Sequence, residues 1–216
     1  MPTKAYGKFL SNMDTVIRLE DTYDEIRTNR NRRGRAAYDH ITRSAIVFLA
    51  SAFEVYIEDV TKECCKQHII FAEQGKNLPH DVKDAINRYV KKESNAMPPM
   101  DLCDDGWKEV YRKLVDKETS KLNTPKKKQI GELFSNLLGI REQDLNNIPG
   151  MDELDGVIIF RGEIAHRVRA EQYVKIDQVK DNVETIRRLT IDIDKMILEY
   201  FKYCYPGKRL PWNSTY

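Results

Sequence analysis

Arg161 and His166 stand five positions apart in the stretch Val157-Ile158-Ile159-Phe160-Arg161-Gly162-Glu163-Ile164-Ala165-His166-Arg167. Their types suit chemistry on a phosphate. An arginine grips a phosphate through charge-assisted hydrogen bonds, and a histidine moves protons near neutral pH. On a straight helix the spacing means about 140° of rotation and about 7.5 Å of rise, so the pair does not share one stripe. Two such side chains can still flank one groove, and a twofold partner can bring a second Arg and His to it. That arrangement suits cleavage of RNA by its own 2′-hydroxyl. One histidine takes the hydroxyl proton, another protonates the leaving 5′-oxygen, and arginine stabilises the charge gathering on phosphorus. The scheme calls for no metal and no cofactor.

Other residues could serve the same site. Glu54, in Ala50-Ser51-Ala52-Phe53-Glu54-Val55-Tyr56, lies about 100° from each neighbour on a helix. It reads either as an edge glutamate or as a carboxylate that orients an Arg or His. Arg27, Arg30, Arg32, Arg33 and Arg35 put five arginines into nine residues, and Arg167 and Arg169 follow the histidine. Such clusters suit an RNA backbone; a solvated helix junction is the plainer reading. The overall charge of +2, from 36 basic and 34 acidic residues, conceals this asymmetry.

Proline placement maps the elements that must position these groups, because proline breaks helix interiors. None occurs from 3 to 78 or from 150 to 205. Leu10, Met13, Val16, Ile17, Leu19, Tyr23 and Ile26 draw an apolar stripe over 8–31, with Ser11 or Asn12 as the expected cap. A second long helix is expected over 36–72. Its stripe is Ile41, Ala45, Phe48, Leu49, Ala52, Val55, Tyr56 and Val60, and its small residues allow close approach by neighbours. Shorter helices are expected at 80–93, 105–122 and 126–138, then the motif helix from 152 to about 168 and a long last helix from about 177. Three lysines, Lys126 to Lys128, oppose the dipole of the helix that they begin.

The result is an all-α bundle: two long early helices, an irregular helical middle, a motif helix and a long C-terminal helix. We expect one domain over 1–216, with a helical insertion at about 75–150 and a flexible tail from about 206. Its size suffices for a core without disulfides or metal. Cys64, Cys65, Cys103 and Cys204 show no metal-ligand spacing and read as reduced. No apolar run approaches a bilayer span and the start lacks a secretory core, so a cytoplasmic protein without membrane contact is expected.

The segment from Ile158 to Arg167 resembles the Arg-x4-6-His motif of the HEPN (higher eukaryotes and prokaryotes nucleotide-binding) superfamily, most closely its RiboL-PSP branch. The Phe53-Glu54 phrase on an early helix and the helix order resemble that branch too. The resemblance implies an all-α homodimer acting as a metal-independent endoribonuclease, in toxin-antitoxin, anti-phage or RNA-processing settings, with an antitoxin or defence-system protein as a further partner. Arg161 and His166 become the catalytic pair. Gly162 departs from the polar residue common after the arginine, and Val168 stands where some related toxins have a tyrosine that a partner enzyme modifies. The alternative is a non-catalytic HEPN module that dimerises and binds RNA, a nucleotide or a protein. A plain helical bundle with a coincidental motif would instead hold Arg161 in an internal salt bridge.

Overall fold

The computed structural model describes residues 2–29, 38–92, 102–123, 125–167 and 173–215, without the side chains of residues 29 and 165–167. Among them every regular element is helical: α1 (Lys4–Asn29), α2 (Asp39–Ala72), α3 (His80–Lys92), α4 (Gly106–Thr119), α5 (Lys127–Leu138), α6 (Glu142–Asn146), α7 (Met151–Arg167) and α8 (Ile176–Cys204), with a 3-10 turn at Gly75–Asn77. The expected all-α bundle is what forms.

Helix α2 is the centre. Its buried residues include Ala45, Ile46, Leu49, Phe53, Tyr56, Ile57, Val60 and Cys64, which cover most of its circumference, and α1, α4, α5, α7 and α8 all pack on it. Contacts set the directions. Phe9 meets Tyr56 and Tyr23 meets Tyr38, so α1 runs antiparallel to α2. Tyr56 donates to Thr190 and His68 stacks on Phe201, so α8 runs parallel to it. Helix α7, joined to the start of α8, runs back against both. These four form a bundle, while α4 and α5 cover the far half of α2, with α3 packed on both and α6 on α5. One apolar cluster runs through the whole, from Ala5 to Trp212.

Several local expectations need correction. Ser11 and Asn12 lie inside α1, which begins earlier at Lys4. Its start is capped by Thr3, whose hydroxyl accepts from the Tyr6 amide, and by Glu63 of α2, which accepts from the amides of Lys4 and Ala5 at 3.1 and 3.0 Å. A carboxylate there complements the positive end of the helix. The stripes also turn: on α1 Tyr6, Phe9, Met13, Val16 and Tyr23 are buried whereas Leu10 and Ile17 are exposed, and on α2 Phe48 is 49% exposed. After Pro206, where a flexible tail was expected, Trp212 is buried edge-on against Phe201 and donates to Glu63 at 2.7 Å.

The lysines that begin α5 have a local answer. The Lys127 ammonium pairs with Asp152 at 2.7 Å and its amide donates to Asp155 at 2.8 Å, so two acidic residues of early α7 offset the unfavourable charge. Helix α5 ends on Gly139 at φ 76°, where an added Cβ would lie 2.6 Å from both Pro79 and the Tyr200 hydroxyl. Only glycine fits there.

Candidate active site

Helix α7 buries Met151, Leu154, Val157, Ile158 and Ile164. At about 100° per residue, position 161 falls in the middle of that stripe. Arg161 therefore occupies a core-facing position on the motif helix. It is only partly exposed, and its Nε is buried with no hydrogen-bond partner among the described residues. No ion pair of Arg161 is seen among the described residues. Buried donors are nearly always satisfied, and one left open costs about 1–3 kcal/mol.

Position 166 lies four residues after Gly162 and seven after Ile159, hence on their face of α7. Ile159 is 50% exposed there, and a Cβ at Gly162 would meet nothing within 4 Å. The His166 and Arg167 side chains lie outside the described residues. Glu54 is half-buried on α2, the helix that α7 packs against.

Four helix ends near the motif are drawn together. Asp39, the first residue of α2, accepts from the Val174 amide at 3.1 Å and pairs with Arg43. Lys180 of α8 pairs with Asp24 of α1 at 3.0 Å. The ends of α1 and α7 and the starts of α2 and α8 therefore meet at one end of the bundle. Arg27 is exposed there on the last turn of α1. Arg30, Arg32, Arg33, Arg35 and Arg169 lie outside the described residues, in connections whose flanking helices end at this place. Two further buried polar atoms without partners among the described residues, Glu20 Oε1 and Tyr38 Oη, lie on the same half. Desolvation raises the Glu20 carboxyl above its ordinary pKa, against the lowering pull of Lys180.

Sequence reasoning overlooked the outward apolar pair Phe48 and Ile159. Assigning each residue of the apolar runs to a helix face would have separated them from the core stripes. No cluster of three or more potential metal ligands occurs among the described residues, and none of their helices is long and apolar enough to cross a membrane.

A central helix sheathed by other helices, with an Arg-x4-His motif on a late helix whose arginine faces inward, describes a HEPN-like protein. The sequence model of the RiboL-PSP-HEPN family matches residues 11–199, most of the chain, and the protein belongs to that family. Domains of this family commonly dimerise and bind RNA. No curated protein and no solved structure matches the chain.

Proposed function

We propose that the protein is a metal-independent endoribonuclease in which Arg161 and His166 from two subunits form a shared cleft. The observation that carries this reading is the open Arg161 Nε. A guanidinium on the core stripe with its Nε out of water, and no carboxylate on it among the described residues, is set to take an anion from outside, and an RNA phosphate supplies one. His166, less than two turns further along, then serves as general base on the 2′-hydroxyl in one subunit and general acid on the 5′-oxygen in the other. Ile159, Gly162 and Phe48 support a partner chain. An apolar side chain half in water and a mid-helix glycine with empty space around it both cost stability in a lone chain, and a second subunit would cover them. Arg27, Arg30, Arg32, Arg33, Arg35, Arg167 and Arg169 would hold the strand, and Glu54 would serve the pair by orienting the histidine. A toxin-antitoxin or anti-phage setting in the cytoplasm, with an antitoxin or defence-system partner, fits such an activity.

Purified protein should cleave single-stranded RNA in EDTA, and His166→Ala should lower the rate at least about 10³-fold, a scale typical of general acid–base groups, with an unchanged melting curve. Equal cleavage by wild type and variant would sink the assignment. RNA binding without any product in either protein would favour the non-catalytic module.

A further inference from the structure

We propose that the groove between α3, α4 and α5, at the end of the bundle away from Arg161, is a second anchoring site for single-stranded RNA. The groove encloses about 390 Å³, in the range of ligand-sized pockets. Its floor is apolar, with Ala85, Leu114, Leu133 and Leu137 buried beneath it. Its rim is basic. The Arg88 guanidinium donates to the Asn136 side-chain oxygen at 2.6 Å, and Asn136 is itself fixed by donating to the Glu132 carbonyl at 2.8 Å. A neutral amide thus holds the arginine in place without neutralising it.

The two carboxylates of the rim are matched by other cations, Glu118 by Lys121 at 2.5 Å and Glu132 by Lys128 at 3.8 Å. Neither Arg88 nor Lys92, one turn further along α3, pairs with a carboxylate among the described residues. Beside them the Lys117 ammonium sits 5.2 Å from the centre of the Tyr89 ring. Arg88 and Lys92, uncompensated among the described residues and set next to an aromatic ring and an apolar floor, are what a strand with charged phosphates and flat bases requires. An acidic protein segment would use the cations but gain little from so small an apolar floor.

The groove also stands at a useful distance. Gln129, in the first turn of α5, lines it, and Lys127 of the same turn pairs with Asp152 at the start of α7. Arg161 lies nine residues further along α7, about 14 Å of rise. A strand gripped at both places must be longer than the few nucleotides that one phosphate site covers, so the groove would select for length. This proposal rests on the RNA reading above for its ligand, though not on catalysis.

The test measures fluorescence anisotropy of labelled oligouridines of about 30 and about 6 nucleotides on the full chain, in a His166→Ala background that keeps the RNA intact. Arg88→Glu with Lys92→Glu should weaken binding of the long strand about 10- to 100-fold and lower the salt slope by about 1.4, the release expected from two phosphates of a single strand. Wild-type-background cleavage of the short strand should be unaffected by the same pair. Both side chains are exposed, so melting curves should coincide; a thermal loss is resolved by Arg88→Gln with Lys92→Gln, which should give a smaller weakening of the same kind. Unchanged affinity and slope for the long strand would overturn the proposal. So would a glutamate-rich peptide whose binding is lost in the variants while RNA binding is not. If no RNA is cut and the variants still lose the long strand, the nuclease reading falls and the groove stands. Normal cutting with normal long-strand binding gives the reverse.

Discussion

At the far end of the bundle His68 is fully buried and fully satisfied; at the motif end Arg161 is partly buried and left open. His68 stacks on Phe201 with 4.5 Å between ring centres. The Leu138 carbonyl can only accept, so Nε2–H of His68 donates to it at 3.1 Å, and Nδ1 then accepts from the Tyr205 hydroxyl at 2.7 Å. Burial lowers its pKa to about 3, against a smaller raising effect of the Leu138 carbonyl, so the ring is neutral throughout the physiological range. Nearby, Tyr111 donates to the Leu137 carbonyl at 2.5 Å. By contrast Glu20, Tyr38 and Arg161 each bury a polar atom with no partner among the described residues. One end spends its polar groups on holding the fold together, and the other keeps them available. The histidine most deeply embedded in the protein is therefore the structural one, and the functional candidate is the arginine whose local energetics are poor.

The sharpest way to break this comparison is to remove the satisfied group. His68→Ala would leave a cavity among Phe201, Tyr111 and Tyr205 and strand the Leu138 carbonyl and Tyr205 hydroxyl, at a cost of about 4 kcal/mol. Urea titration should show this loss. A cost below about 1 kcal/mol would mean that the far end is not the anchor described here.

Acid sharpens it next. The folded His68 pKa is depressed to about 3, while the unfolded chain titrates near the ordinary value. Below about pH 6.5 the unfolded state binds a proton that the folded state refuses, so stability falls by about 1.4 kcal/mol per unit down to about pH 3. From pH 7 to 5 the loss from this group is about 2 kcal/mol. The slope should flatten in His68→Gln, which cannot take the proton; an identical slope in both proteins would assign the acid limb to other groups.

The four-helix frame was legible because long proline-free stretches carry apolar residues at helical spacing, and α7 and α8 fall within a residue or two of where that pattern puts them. What escaped the sequence depends on distant partners. Glu63 caps α1 from 58 or more positions away and also holds Trp212, so neither the true start of α1 nor the docking of the last segment could be read locally. The five-residue α6 is too short to carry a period. Within the site, Val157 to Phe160 reads as a run that should be buried, yet Ile159 turns outward and Arg161 inward, because a helix sorts neighbours by angle rather than by order. The motif was visible, and the inward setting of its arginine was not.

That setting yields the smallest effect and the most discriminating one. Methionine at 161 would match arginine in helix propensity, keep most of the length of its apolar stem, and remove a buried N–H that has no acceptor. A structural arginine would lose packing or a partner on such a change. Here Arg161→Met should instead raise stability by about 1 kcal/mol, from relief of the unsatisfied donor discounted for the part of the side chain that still reaches water. RNA cleavage should fall by at least about 10²-fold at the same time, since a transition-state charge would lose its donor. Stability gained while activity is lost is the mark of a residue held in place for a ligand rather than for the fold. A variant that melts earlier than wild type would place Arg161 with His68, among the groups that keep the helices together, and would remove the contrast between the two ends.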